Sequence, residues 1–401
     1  MDTFPLSLPS RTPDRVAHRL AWLDNLRVVL TVLVVLHHAA QPYGPADWWY
    51  VEGQPREQAL ATFSAVNGSF FMSLFFFVSA VFVPSSYERH GARRFLMGRL
   101  FRLGVPVVVG ALTIVPGVLY AYYVHYRGYG PISFPHYFTD VYLGLGEKPA
   151  DWTGPSWPDL QFAHLWFIQN LLVYSVVYVL CRQVARLTRR RPDRARHELP
   201  APGHRILFAV TAVIAAATFA VRVRFPLDTW IPFLDFLQME PARLPQYAAF
   251  FSFGVLTRSH GRLHRFDSRT GWIWLSGGLA GVALLFVVGA DAPCFGPGGF
   301  NAPSALWSLY DSALCVALSV GLLTLFREAL TGGNGLTREL AAGSYTVYIV
   351  HLPVAVTLQF YLVGRGLSAT AAWSLVAAAT VPMSFLLATG LRRLPGLRRV
   401  L

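Results

Sequence analysis

The chain has 401 residues, of which 54% are hydrophobic and only 14% charged, with a mean hydropathy of +0.42. Soluble domains carry about 25% charged residues, so this composition excludes an ordinary soluble fold and places repeated apolar blocks in lipid. The formal net charge of +13 lies in short stretches between those blocks, which fits the positive-inside rule and attraction to anionic headgroups rather than nucleic-acid binding.

A bilayer-spanning helix needs about 20 mostly apolar residues. Ten segments qualify in chain order: 26–43, 66–84, 101–123, 162–181, 205–222, 243–257, 271–289, 304–326, 342–363 and 369–391. The sixth is the weakest, because it is short, begins near Pro245 and ends at Arg258. The expected fold is an all-α integral membrane protein of about ten transmembrane helices. A cytoplasmic tail over 1–22, a membrane domain over 23–391 and a second cytoplasmic tail over 392–401 complete it. Residues 1–20 contain no apolar core of a cleaved signal peptide. Cys181, Cys294 and Cys315 form neither a disulfide framework nor a metal motif.

Charge placement tests the count of spans. Arginine-rich stretches follow the second segment (Arg89, Arg93, Arg94, Arg99, Arg102), the fourth (Arg182 to Arg196) and the sixth (Arg258, Arg262, Arg265, Arg269). Arg327 and Arg338 follow the eighth, and both termini are basic, with Arg11, Arg15 and Arg19 at one end and Arg392, Arg393, Arg398 and Arg399 at the other. The alternate connections are acidic or poor in arginine, with Asp47, Glu52 and Glu57 in the first and Asp140, Glu147, Asp151 and Asp159 in the second. This alternation puts both termini in the cytoplasm of a multi-pass plasma-membrane or inner-membrane protein. The outer loops carry Trp48, Trp49, Tyr50, Trp152 and Trp157. Interfacial anchoring is their simplest role, with sugar or peptide docking as the alternative.

Ionisable groups within the bilayer are costly and mark functional sites by default. His38 (with its neighbour His37), His164 and His351 all fall toward the outer side in this topology. Arg27 opens the first segment beside Asp24, at the cytoplasmic end. Arg27 and His38 are separated by about 16 Å of helix rise, close to three full turns, so they project from nearly one face. Arg99 and Arg102 share a face by their i,i+3 spacing, and guanidinium forks suit phosphate oxygens. A cytoplasmic cation joined to a deeper histidine matches a coenzyme A thioester, which has phosphates at one end and an acyl group far along a narrow arm. A neutral histidine can take the proton of an attacking hydroxyl, and no nucleophile for an acyl-enzyme is evident. Pro353, two residues after His351, frees a helix carbonyl, so the His351 ring has a local structural role open to it. His164 can likewise bond a backbone carbonyl. Asp311 lies inside the eighth segment and is expected to pair with a histidine or arginine.

Several runs resemble one family. LDNLRVVLTVLVVLHH (Leu23–His38) resembles the first helix of the acyltransferase 3 family, which has an arginine, ten residues, then a histidine. FFFVSAVFVPSS (Phe75–Ser86) resembles its second helix, although the usual Ser-Gly-Phe reads Ser79-Ala80-Val81 here. RRFLMGRLFRLGVP (Arg93–Pro106), HLWFIQNLLVYSVVY (His164–Tyr178) and SYTVYIVHLPV (Ser344–Val354) follow in the family's order. The details look most like the glucan biosynthesis protein C branch. The resemblance implies an O-acyltransferase that uses acyl-CoA, acetyl or succinyl, as a donor substrate, with no tightly bound cofactor; no metal is expected, because the histidines lack local ligand spacing. The acceptor would be a hydroxyl of an extracytoplasmic polysaccharide, a lipid-linked sugar or a small secreted molecule. His38 would be catalytic, Arg27, Arg99 and Arg102 would bind the donor, and His164, His351 and Asp24 would position substrate. The bilayer is the expected partner, nucleic acid is not, and a homo-oligomer stays open. A transporter without acyl-transfer chemistry is the alternative.

Overall fold

The structure is a computed structural model that describes residues 21–44, 48–154, 156–188, 202–233, 237–259 and 266–400. Arg11, Arg15, Arg19, Asp47, the arginines between 189 and 196, and Arg262 and Arg265 lie outside the described residues. The helices are α1 (Ala21–Ala40), α2 (Gln58–Val81), α3 (Val83–Arg99), α4 (Val105–Tyr126), α5 (Trp166–Thr188), α6 (His204–Arg222), α7 (Leu244–Ser259), α8 (Ser268–Val288), α9 (Ala302–Ala329), α10 (Gly335–Leu362) and α11 (Ala369–Arg393). A two-stranded antiparallel ribbon, β1 (Ile231–Phe233) and β2 (Leu237–Met239), precedes α7. Among the described residues, nine helical segments are long and apolar enough to cross a membrane, with α3 and α4 counted as one. The protein is an all-α integral membrane protein.

The third segment differs from its sequence reading. The stretch before residue 101, expected as a basic connection, is helical: α3 bends at Gly91, whose φ of 73° interrupts it, and runs through a π-helical turn at Leu100–Gly104 into α4. A left-handed φ favours glycine because it has no Cβ. The π turn runs into α4 at Pro106, whose missing N–H frees the Arg102 carbonyl one turn earlier, and the Tyr345 hydroxyl donates to that oxygen at 2.7 Å. Side chains cap the later helices: Asp267 accepts from the Thr270 amide, Asn301 from that of Ser304, and Asn334 and Thr337 form a reciprocal box.

α7 has 16 residues, about 24 Å of rise, which is short of a hydrocarbon core of about 30 Å. Its neighbours nevertheless carry it from one end of the bundle to the other. It starts beside Asp311, which Gln246 reaches at 3.4 Å. The next helix, α8, starts at the opposite end, where Arg327 donates to the Phe266 carbonyl at 2.8 Å. That end also holds the start of α1, where Asn25 donates to the carbonyls of Leu330 and Gly332 at 2.7 and 2.8 Å. Arg392 near the end of α11 meets Glu339 at 2.9 Å there too. The first and last helices therefore open and close on the same side.

α8 and α9 approach almost to backbone contact. A Cβ on Gly321 would lie 2.6 Å from the Leu275 Cα, and one on Gly271 would collide with the Thr324 hydroxyl oxygen. Small residues at such crossings let helices pack tightly where lipid removes the hydrophobic drive. At the other end of α9, Asp311 accepts from Arg222 at 2.5 Å and has Arg243 at 3.6 Å. Arg222 is 0% exposed and Asp311 1%, so this ion pair has no solvent to fall back on. It ties α6 and the entry of α7 to α9. Removing one partner of a buried pair strands the other charge, at a cost of about 3–5 kcal/mol. Asp311→Ala should destabilise the protein by that amount, read as a lowered midpoint of thermal unfolding in detergent. A midpoint equal to wild type would show that the pair contributes nothing.

Candidate active site

The site begins with a proline. Pro353 has no N–H, so the helical carbonyl one turn earlier, that of Ile349, lacks its usual donor. His164 supplies one: its Nε2 lies 2.9 Å from the Ile349 oxygen. The sequence reading left this role open to His351, but the ring that fills it comes from the turn Ala163–Leu165 before α5. The Tyr348 hydroxyl donates back to the His164 carbonyl, which joins α10 to that turn twice.

His351 faces its own helix instead. Its Nδ1 sits 2.8 Å from the Tyr348 oxygen and 3.1 Å from the Val347 oxygen. Carbonyl oxygens only accept, so Nδ1 carries the proton and, in a neutral ring, Nε2 is the acceptor. That Nε2 lies 2.8 Å from His38 Nδ1. His38 must therefore donate through Nδ1, which leaves its Nε2 with a free lone pair. His351 is fully buried behind His38, and His38 is the ring of the two that borders the cavity. A histidine whose tautomer is set by a second group is the arrangement expected of a general base.

Gln359, also fully buried, pins His38 from a second direction. Its amide nitrogen donates to the His38 and Ala39 carbonyls at 3.1 and 3.3 Å, and its oxygen accepts the Trp49 indole N–H at 2.8 Å. Trp49 then stacks on His38, with ring centroids 5.8 Å apart and an interplanar angle of 20°. Trp49 is thus a wall of the site and not the interfacial anchor its sequence context suggests. Its one sequence signal is its place in an aromatic outer loop. Gln359 has no such signal, because a lone glutamine in an apolar run reads as a core residue.

His38, Trp49, His164 and Tyr348 border a cavity of about 990 Å³. Its histidine side includes His37, His38, His164, Tyr348 and Leu352, and its far side includes Trp166, Trp230, Glu240, Arg243, Tyr247 and Trp307. The loop wall is held by Arg127, which meets the fully buried Asp159 at 3.1 Å and lies 4.2 Å under the Trp152 ring. Tyr137 donates to the same carboxylate at 3.0 Å. Burial pushes the Asp159 carboxyl up from its usual range, and the Arg127 guanidinium opposes that shift.

The structure gathers His38, His164 and His351 at one place and leaves the other candidates apart. Arg27, paired with Asp24 at 2.9 Å, stands three turns back on α1. Arg99 lies over the Phe95 ring at 5.3 Å. The carbonyl of Arg102, in the π turn, accepts from the Tyr345 hydroxyl at 2.7 Å, which holds that turn to the helix that carries His351. None of Arg27, Arg99, Arg102 or Asp24 borders the cavity. The two facing nitrogens of His38 and His351 share a proton. Among the described residues, no group of three or more histidines, cysteines or carboxylates is disposed to hold a metal ion.

A family profile described as an acyltransferase domain matches residues 20–389. No curated protein and no solved structure matches the chain.

The proton assignment is testable without turnover. Nitrogen-15 NMR of histidine-labelled protein should show His38, assigned through His38→Gln, as the Nδ1–H tautomer. His351→Phe removes the acceptor and should convert that signal to a mixture. An Nε2–H signal for His38 in wild type would reverse the assignment.

Proposed function

The chain belongs to the acyltransferase 3 family, and we propose that it moves an acetyl or succinyl group from cytoplasmic acyl-CoA to a hydroxyl of an extracytoplasmic carbohydrate or related acceptor. It is a multi-pass membrane acyltransferase. The plasma or inner membrane as its location, the donor and the acceptor are parts of the proposal. The observation that supports it best is the His38 Nε2 lone pair, fixed by His351 and presented to an aromatic cavity. In this reading an acceptor hydroxyl gives its proton to His38 Nε2 as its oxygen attacks the thioester carbon. The C–S bond then breaks, and the proton returns to the departing thiolate.

The donor would approach from the Arg27 end. About 16 Å of α1 separates Arg27 from His38, a span that a pantetheine arm covers. Arg27, Arg99 and Arg102 would hold the phosphates at the cytoplasmic end, as guanidinium forks do. Asp24 would orient Arg27 through their ion pair. The cavity's indole and phenol faces suit the apolar faces of sugar rings, and Asp228, Glu240 and Gln238 offer acceptors and donors to hydroxyls. This is also what supports a glucan-like acceptor of the glucan biosynthesis protein C type. A transporter could use the His38–His351 pair as a proton relay, but it does not account for membership of an acyltransferase family.

Two outcomes test the reading on protein in lipid nanodiscs, with acetyl-CoA and succinyl-CoA as donors, glucan oligosaccharides as acceptors, and thiol release as readout. His38→Ala should lower kcat by about 10²–10⁴, the usual worth of a general base. Full turnover in this variant would overturn the site. Arg27→Ala should raise KM for acyl-CoA while leaving KM for acyl-pantetheine, which lacks the nucleotide phosphates, unchanged. Equal effects on both donors would remove the phosphate role.

A further inference from the structure

His37, the neighbour of the proposed base, has distinguishable ring nitrogens. The Gln41 side-chain nitrogen lies 2.9 Å from His37 Nε2 and 3.4 Å from the His37 carbonyl oxygen. That carbonyl can only accept, so the Gln41 group is the NH2 end of the amide, and His37 Nε2 holds the lone pair that receives it. In a neutral ring the proton is then on Nδ1. This Nδ1–H is buried and has no hydrogen-bond partner among the described residues, while the ring borders the same cavity as His38. Phe71 backs the ring at a centroid distance of 5.0 Å. The His37 and His38 rings stand edge to face, with centroids 5.7 Å apart and planes at 78°. A buried donor left unmatched is costly, and a fixed donor near a base is what a developing oxyanion requires.

We infer that His37 Nδ1–H is the hydrogen-bond donor to the thioester carbonyl oxygen during transfer, opposite the base at His38. The two neighbouring rings carry complementary states, one a free lone pair and the other a free N–H. The acceptor hydroxyl loses its proton to His38 Nε2 and forms the new C–O bond. The carbonyl π pair moves onto oxygen, where His37 Nδ1–H holds it. The pair returns as the C–S bond breaks, and the thiolate takes the proton from His38. His37 keeps its own proton throughout. This assignment rests on the acyl-transfer reading above, in which His38 is the base.

The test compares His37→Phe and His37→Leu, which remove the donor, with His37→Asn, whose amide N–H takes a place near that of Nδ1. With acetyl-CoA as donor, both apolar variants should lose about 10²–10³ in kcat, the worth of one oxyanion donor, with KM for the donor unchanged. His37→Asn should recover much of that loss. Infrared spectra of bound [¹³C=O]acetyl-CoA should show a lowered carbonyl stretch in wild type and His37→Asn, but not in His37→Leu. Thermal unfolding in detergent identifies which apolar variant is folded, and the folded one is compared. If His38→Ala abolishes turnover while the folded apolar variant keeps wild-type kcat and the lowered stretch, this inference fails and the acyl-transfer reading stands. An equal loss in His37→Asn and the apolar variant also overturns it. Wild-type turnover in His38→Ala overturns the reading beneath it.

Discussion

Within a bilayer no water is at hand for a backbone carbonyl that has lost its donor. Pro353 creates that situation at Ile349, and the His164–Ile349 hydrogen bond resolves it. Much of the site follows from this bond. It brings the turn before α5 onto α10 and sets the His164 ring 5.5 Å from the His351 ring. The Tyr348 hydroxyl locks the same junction from the other side. With α10 held there, His351 turns its Nδ1 to its own helix and its Nε2 to His38. A structural need at one carbonyl thus helps to determine which nitrogen of a histidine 13 residues after Asn25 is free to act.

The rest of the cavity is built by the opposite strategy, in which charges are buried only in company. Asp311 receives Arg222 and lies near Arg243, and Asp159 receives Arg127 and Tyr137. Such pairs add little net stability over an apolar core, but losing one partner is expensive. Their value here lies in geometry. The Asp311 cluster fixes the far wall, where the entry to α7 meets α6 and α9. The Asp159 cluster fixes the loop wall between α4 and α5. Between these two anchors the aromatic side chains enclose a space that no single helix could shape.

The histidine side shows how neutral groups can be set by one another. Each ring's tautomer there is assigned at one nitrogen by a neighbour that gives or receives: the Val347 and Tyr348 carbonyls for His351, His351 for His38, the Ile349 carbonyl for His164, and the Gln41 amide for His37. The Gln359–Trp49 bond holds the indole over His38 from the cavity side. Arg27 lies outside this network, about 16 Å down α1.

By itself, the sequence determined the class of the protein, because apolar length and alternating arginine content depend only on local composition. It also determined the axial spacing of Arg27 and His38, since helix rise is a property of the backbone. It singled out Asp311 as a group in need of a partner. Only the tertiary structure decided who those partners are. Arg222 and Asp311 are 89 residues apart, and His38 and His351 are 313 apart, distances over which no periodicity carries information. The helical character of α3 was hidden because its arginines mimic a solvated loop, and Gln359 was hidden because its only signal is the pair of groups it bridges. Which helix carbonyl Pro353 frees is legible from the sequence. Which side chain answers it is not, because that depends on what packing brings within 3 Å.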